Sequence, residues 1–130
     1  MPTAYDDSNI FARILRGEIP NRTVAETEHA LAFEDIHPAA PHHVLVIPKG
    51  RYVNFAHFAA EASAAEIADF HRCVAQVIAA RGLAPDAEGA GGFRAIANAG
   101  EDGGQDVPHF HLHILGGRRV GPMLSRRNKD

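Results

Sequence analysis

The chain has a single cysteine, little net charge and no long apolar run. Because Cys73 is the only cysteine among 130 residues, an intrachain disulfide and a C-x-x-C zinc pair are both excluded. The formal net charge of −3 gives no general reason to expect nucleic acid or a membrane as a partner. No apolar stretch approaches the roughly 20 residues that span a bilayer, and the N-terminus does not resemble a signal peptide. These absences favour a cytoplasmic protein.

The residues that are present indicate one globular domain of the α+β class. Hydrophobic residues make up 45% of the chain, which is enough for a core without disulfides. The predicted elements run helix, strands, helix, strands without a repeated βαβ pattern, which is typical of an α+β domain on an antiparallel sheet. The C-terminal stretch is locally basic and is predicted to be a solvated tail. Its basic residues are Arg118, Arg119, Arg126, Arg127 and Lys129.

Local patterns predict the individual elements. After a loose polar lead-in at residues 1–7, a short helix capped by Ser8 or Asp7 runs to about residue 16. The clearest helix spans residues 63–81, because Ser63 and Glu66 match a capping box and the apolar residues that follow have helical spacing. A short helix or turn is expected near residues 53–58. Strands are expected at residues 23–27, 30–34, 43–47, 93–98 and 109–115, with 43–47 central in the sheet.

The segment H-F-H-L-H-I-L, from His109 to Leu115, is the most informative feature of the chain. Its three histidines alternate with apolar residues at a period of two. In a β-strand this period puts the imidazoles on one face and Phe110, Leu112 and Ile114 on the other. Histidine can act as a nucleophile, acid, base or metal ligand near neutral pH. The imidazole face is therefore the candidate functional site.

The residues alone leave two functional interpretations of this face open. In a metal site, two strand histidines would bind Zn²⁺ and His43 or Asp102 would complete the set. In a phosphoryl- or nucleotidyl-transfer site, one imidazole would attack phosphorus while its neighbours donate to the phosphoryl oxygens or protonate the leaving group. The glycine-rich turn at residues 100–105 and Asn98 favour the second interpretation, because backbone N–H groups and an amide suit an oxyanion better than a metal.

The histidine segment resembles the signature of the histidine-triad family, H-φ-H-φ-H-φ-φ, where φ is an apolar residue. The resemblance covers about residues 8–124 and implies a single domain over residues 1–130 with polar ends. The other matching segments are N-I-F at 9–11, G-E-I-P at 17–20, F-E-D-I at 33–36, P-H-H-V-L-V-I-P-K at 41–49, N-A-G-E-D-G-G-Q at 98–105 and G-G-R at 116–118. The combination is most similar to the Hint branch of the family, the nucleoside phosphoramidate hydrolases.

This resemblance implies a fold, an activity and a partner. The fold would be an antiparallel five-stranded sheet with one long and one short helix, and the sheets of two copies would join in a homodimer. The activity would be hydrolysis of purine nucleoside 5′-phosphoramidates through a nucleotidyl-histidine, with AMP, GMP or their phosphoramidates as ligands. Dinucleoside polyphosphate hydrolysis and a nucleotide-binding regulatory role are the alternatives. No cofactor is implied, and structural zinc is not expected because Ser8 and Phe11 stand near the place of a cysteine pair found in other members.

The resemblance also assigns roles to the histidines. His111 would be the nucleophile, and His113 and His109 would bind and orient the phosphate and the leaving group. His43 would be a fourth histidine, buried behind the strand and hydrogen-bonded to the row.

The same resemblance assigns the nucleotide contacts. Asn98 and the backbone around Gly104 would hold the α-phosphate beside Gln105 and Asp106, and Asp35 would take the ribose hydroxyls. The purine would lie between apolar side chains, although Ile14 and Ile19 serve equally well as plain core. These apolar residues are Ile10, Phe11, Ile14, Ile19, Phe33 and Ile36. Asp106 stands where Hint proteins often carry serine, and its carboxylate would repel an anionic substrate unless it points away.

Overall fold

The computed structural model of the chain describes residues 4–124. Eight elements follow one another along the sequence, three helices and five strands. Their bounds are α1 Ile10–Leu15, β1 Thr23–Glu26, β2 Ala30–Glu34, β3 His42–Pro48, α2 Phe55–Glu61, α3 Ala64–Arg81, β4 Phe93–Ala97 and β5 Leu112–Gly116. The strands form one antiparallel sheet in the order β1-β2-β3-β5-β4, which confirms the predicted α+β class and the central place of β3. No helix within residues 4–124 has the length and apolarity needed to cross a membrane.

The sheet separates two apolar clusters because alternate residues of its central strands point to opposite faces. On one face, α2 and α3 cover a core that includes Val44, Phe110 and Ile114. On the other face, α1 packs on a smaller cluster that includes Phe11 and Leu45. The predicted alternation of the histidine segment is therefore confirmed, since its apolar residues enter the helix-covered core.

The long helix α3 begins as predicted. The Ser63 hydroxyl accepts the Glu66 N–H at 3.1 Å, and the Glu66 carboxylate accepts the Ser63 N–H at 3.0 Å, which completes the capping box. Gly82 ends the helix in the left-handed conformation, with φ of 62°. Phe70, Cys73 and Val77 are buried against the sheet, so the lone thiol is a core group.

Three predictions were wrong at the level of single residues. The cap of α1 is Asn9, whose side chain accepts the Ala12 N–H at 2.9 Å, whereas Ser8 bonds to Asp6 instead. The lead-in is not loose throughout, because Tyr5 contacts the histidine row. The strand β5 begins at Leu112 rather than at residue 109, because residues 109–111 do not pair with β3 or β4 and the Phe110 N–H donates instead to the carbonyl of Tyr52 at 2.8 Å. The prediction of a solvated basic tail concerns in part Arg126, Arg127 and Lys129, which lie outside the described residues.

Candidate active site

A cleft of about 790 Å³ opens on the α1 face of the sheet, within the size range of small-molecule sites. Its wall combines apolar side chains with several polar and charged ones, four of which form a polar end around the histidines. The apolar residues proposed to contact a purine all lie in this wall, namely Ile10, Phe11, Ile14, Ile19, Phe33 and Ile36. The polar end carries Asp35, Asp106, His111 and His113. The structure thus brings ten of the predicted site residues to one cleft.

His111 presents a free ring nitrogen to this cleft. Its Nδ1 lies 2.8 Å from the carbonyl oxygen of His109, which can only accept a hydrogen bond, so Nδ1 carries the proton. In the neutral imidazole, Nε2 then holds the lone pair. The ring is 5% exposed and stands edge-on to Phe11, with 4.9 Å between ring centroids. This arrangement holds one nucleophilic nitrogen in a fixed orientation.

A chain of hydrogen bonds fixes which nitrogen of His113 carries the proton, and the result is the opposite of that in His111. The backbone N–H of Ala39 donates to His43 Nδ1 at 3.0 Å, so the proton of His43 is on Nε2. That Nε2 lies 2.9 Å from His113 Nδ1, which must accept and leaves the His113 proton on its own Nε2. His43 is buried, as predicted for the fourth histidine. His113 therefore offers an N–H donor beside the lone pair of His111.

His109 lies behind the cleft rather than in its wall. It has no exposed surface, and both of its ring nitrogens are engaged within the protein. Its Nε2 donates to the carbonyl oxygen of Pro48 at 2.8 Å, and its Nδ1 accepts from the hydroxyl of Tyr5. In this geometry His109 supports the site through its backbone carbonyl and does not reach a ligand in the cleft.

Burial keeps the histidine row neutral. Loss of hydration lowers the pKa of His109 and of His113 from 6.5 to about 4, and it also lowers the pKa of His111. For His111, the Asp106 and Asp35 carboxylates oppose that shift without cancelling it. The imidazoles are therefore unprotonated near neutral pH, as a nucleophilic nitrogen requires.

Asp35 lies at the junction of the cleft and the histidine chain. One carboxylate oxygen accepts the His37 N–H at 2.8 Å, and the other lies 3.5 Å from His43 Nε2. The side chain is 20% exposed, so a ligand in the cleft can reach it. Its position is compatible with the predicted contact to hydroxyl groups.

Side-chain hydrogen bonds fix the conformation of the loop that precedes the histidines. The Asn98 side-chain N–H donates to the carbonyl of Gly103 at 2.7 Å. The Gln105 amide donates to the carbonyls of Val53 and Val107 at 2.7 and 2.9 Å and accepts the Gly100 N–H at 3.0 Å. These bonds place Asp106 and Val107 at the cleft.

Asn98, Gly104 and Gln105 lie outside the cleft wall. The amide of Gln105 bonds to the backbone of the loop and of Val53, so in this conformation Gln105 acts on the site by holding the loop that carries Asp106.

One group of side chains has the spacing of a metal site. The ligand atoms of Asp35, His43 and His113 lie within 4.8 Å of one another. However, the Ala39 N–H occupies the Nδ1 lone pair of His43, so the Nε2 that faces His113 carries a proton and cannot coordinate. Asp102, the other ligand considered, lies on an exposed turn outside this group. These three side chains therefore suit a chain of hydrogen bonds better than the coordination of a metal ion.

Sequence reasoning missed Tyr5 and several wall residues, including Asn21, Leu45 and Val107. Leu45 and Val107 carry only an apolar signal, which does not separate a cleft wall from a core. The polarity of residues 1–7 predicts a loose segment, but the aromatic Tyr5 beside Asp6 and Asp7 is a signal that part of this segment is packed.

Comparison with known proteins agrees with this geometry. The HIT domain family model matches residues 16–120. The chain is 53% identical over 126 residues to a HIT-like protein of Azospirillum brasilense, covering 97% of this chain and 99% of that protein. It is 37% identical over 121 residues to the purine nucleoside phosphoramidase of Escherichia coli (strain K12), covering 93% and 97%. A HIT family hydrolase from Clostridium thermocellum superposes with a TM-score of 0.78 at 37% identity, covering 92% of this chain and 99% of that chain.

The family match spans most of the chain, and these relatives align with it over nearly their whole length at well above 30% identity. The chain therefore belongs to the HIT domain family and is of the same general kind as its hydrolases.

Proposed function

We propose that this protein hydrolyses purine nucleoside 5′-phosphoramidates through a covalent nucleotidyl-His111 intermediate. The observation that carries the proposal is the pairing of two neutral imidazoles of opposite polarity, a lone pair on His111 Nε2 and an N–H on His113 Nε2. The phosphoramidase name of the 37% identical relative supports the choice of substrate. The apolar wall beside these groups supports a flat, uncharged base as the other end of the ligand.

The proposed first step forms a bond from His111 Nε2 to phosphorus and breaks the bond from phosphorus to the amine nitrogen. The leaving nitrogen departs with the electron pair of that bond and takes a proton from solvent. His111 becomes cationic, and its Nδ1–H remains bonded to the carbonyl of His109, which stabilises the positive charge. The His113 N–H donates to a phosphoryl oxygen as charge develops there.

The proposed second step hydrolyses the intermediate. Water attacks phosphorus, the bond to His111 Nε2 breaks, and the nitrogen regains its lone pair while one proton passes to solvent. The products are the nucleoside monophosphate and the free enzyme. Splitting one difficult displacement into two is the general advantage of a covalent nucleophile.

The proposed nucleotide contacts use the groups that line the cleft. Asp35 would accept hydrogen bonds from the ribose hydroxyls, and the apolar wall would hold the purine. The backbone N–H of Asp106 would donate to the phosphate, while its carboxylate would point away from the anion. We keep Asn98 and Gly104 as proposed phosphate contacts, which require the loop to turn them toward the cleft.

Paired rate measurements on two substrates test the choice of substrate. We expect kcat/KM for an adenosine 5′-phosphoramidate to exceed that for a diadenosine polyphosphate by at least roughly tenfold, since the proposed contacts engage one base and one phosphate. Metal-free buffer with a chelator should leave the phosphoramidate rate unchanged. Faster cleavage of the diadenosine compound would contradict the proposed specificity and favour dinucleoside polyphosphates as substrates.

We also propose that the protein forms a homodimer through β4. This strand lies at one edge of the sheet with no neighbour on its outer side among residues 4–124, and Phe93 at its start is 38% exposed. Pairing with the same strand of a second copy would complete its hydrogen bonds. Sedimentation equilibrium should give twice the chain mass for the wild type and a weaker dimer for Phe93→Glu; a monomeric wild type at micromolar concentration would contradict the proposal.

A further inference from the structure

The N-terminal strap, defined here as residues 4–9, closes over the back of the histidine row. The Asp7 carboxylate holds Arg51 through two bonds, to Nε at 3.0 Å and to Nη2 at 2.9 Å. The Arg51 guanidinium lies over the Tyr5 ring, 5.1 Å from its centroid. Arg16 donates to the Asp7 carbonyl at 2.9 Å, and so ties the strap to the end of α1. These contacts therefore hold the strap in a defined position on the protein.

Tyr5 uses this position to satisfy the remaining nitrogen of His109. The carbonyl of Pro48 takes the Nε2–H of that ring, so Nδ1 holds a lone pair and the Tyr5 hydroxyl is the donor. Since His109 has no exposed surface, water does not reach this nitrogen in place of the hydroxyl. A buried acceptor without its donor would destabilise this arrangement of the His109 ring.

His109 in turn fixes the nucleophile. Its ring is held at both nitrogens and its backbone carbonyl accepts the Nδ1–H of His111. The ring and the carbonyl belong to the same residue, so the two hydrogen bonds that hold the ring also restrict the backbone of His109. Tyr5 is thus two hydrogen bonds away from the atom proposed to attack phosphorus.

We propose that Tyr5 is a positioning residue for His111: its hydroxyl locks His109, and the carbonyl of His109 holds the attacking imidazole in one orientation and tautomer. The proposal rests on the proposed function, in which His111 is the nucleophile. Tyr5 itself does not line the cleft, so it acts without touching the substrate.

The groups around His109 define what else could affect its protonation. The strap contributes Tyr5, with Arg51 and Asp7 behind it, and the histidine segment contributes His111. The helix α1 contributes the uncharged ring of Phe11, with 6.3 Å between ring centroids, and β3 contributes the Pro48 carbonyl. Of these, only the Tyr5 hydroxyl donates to Nδ1, and a donor at that nitrogen opposes its protonation.

Tyr5→Phe, with Tyr52→Phe as the matched control, tests the proposal. Each variant deletes one hydrogen-bonded phenol oxygen and keeps the ring; the Tyr52 hydroxyl bonds to Glu66 at 2.8 Å, away from the cleft. We expect Tyr5→Phe to lower kcat for an adenosine phosphoramidate roughly tenfold with KM nearly unchanged, because misorientation of a reacting group affects turnover more than binding. The acid limb of its kcat/KM profile should also move to higher pH, since His109 loses the donor that opposes protonation of its Nδ1. Tyr52→Phe should keep the wild-type kcat and profile.

Two results would overturn this role: a wild-type kcat in Tyr5→Phe, or an equal loss of kcat in both variants, which would indicate general destabilisation. A separate measurement distinguishes failure of the role from failure of the proposed function. Imidazole ¹⁵N NMR spectra of the free proteins report the His109 and His111 tautomers without any substrate. Altered ¹⁵N shifts of His111 in Tyr5→Phe alone support the coupling even if the wild type hydrolyses no phosphoramidate, and unchanged shifts reject it.

Discussion

Replacing His111 with alanine is expected to lower kcat/KM for an adenosine 5′-phosphoramidate by at least about 10⁴-fold, while the Kd for AMP changes by no more than roughly threefold. The substitution removes the lone pair that the carbonyl of His109 orients toward the cleft. No second imidazole can replace it, because His113 presents a proton to the cleft and His109 lies behind it. The apolar wall and Asp35 remain, so nucleotide binding should persist.

The matched control for this substitution is His29→Ala, which removes an imidazole on the turn between β1 and β2, remote from the cleft. Its kcat/KM should equal that of the wild type. Mass spectrometry of the wild type, quenched in alkaline denaturant because the linkage is labile in acid, should detect one nucleotidyl group per active chain, located on residue 111. Substantial turnover in folded His111→Ala would reject the covalent mechanism outright.

The sequence predicted this site well where local periodicity determines geometry. Alternation in the histidine segment is a property of an extended chain, and it places Phe110 and Ile114 in the core whatever else the chain does. The capping box of α3 is equally local, since Ser63 and Glu66 are three residues apart.

Long-range contacts could not be predicted in the same way. The bond from Tyr5 to His109 joins residues 104 positions apart, and nothing in either neighbourhood specifies the other. His109 also shares the face of the other two imidazoles, yet the strap and α1 cover it and exclude it from the cleft. Periodicity predicts the face of a residue but not which part of that face another segment covers.

Local patterns also leave alternatives open at the ends of elements. Asp7, Ser8 and Asn9 are all good helix caps, and only the conformation of the folded chain selects Asn9. The start of β5 depends on where Phe110 donates its N–H, and that partner, Tyr52, lies in a distant loop. The sequence also could not decide against the metal interpretation, because the ring tautomer of His43 depends on a hydrogen bond from Ala39.

Acidification is expected to destabilise the fold before most carboxylates are protonated, with His109 alone contributing about 2 kcal/mol of lost unfolding free energy between pH of about 7.5 and about 5. The pKa of His109 is 6.5 in the unfolded chain and about 4 in the buried site. Above about pH 7.5 the ring is neutral in both states and pH has no effect. Below that pH the unfolded chain binds a proton that the folded chain excludes, so stability falls until pH approaches the folded pKa.

Carboxylates act at lower pH and can be separated from this effect. Hydrogen bonds and ion pairs lower the pKa of Glu34, Glu66 and Asp69 in the folded protein, so their contribution is present above the unfolded values of 4.5 and 3.8 and is lost only below them. The window from about pH 6.5 to about pH 5 therefore reports histidines. His111 and His113 should add to the loss in the same direction, His113 by less than its pKa implies because it is partly exposed to screening water.

Urea unfolding of the wild type and of His109→Gln, each at neutral and at acidic pH, measures this contribution. The quantity compared is the loss of unfolding free energy on acidification in each protein. Whatever the variant costs at neutral pH, its loss of unfolding free energy on acidification should be smaller than that of the wild type by about 2 kcal/mol. Equal losses in the two proteins would show that His109 is not kept neutral by burial, and ring resonances of His109 that titrate near pH 6.5 in the folded wild type would show the same. The test is informative about the proposed catalysis as well, because the burial that makes the fold sensitive to acid is also what keeps a proton off the nitrogen proposed to attack phosphorus.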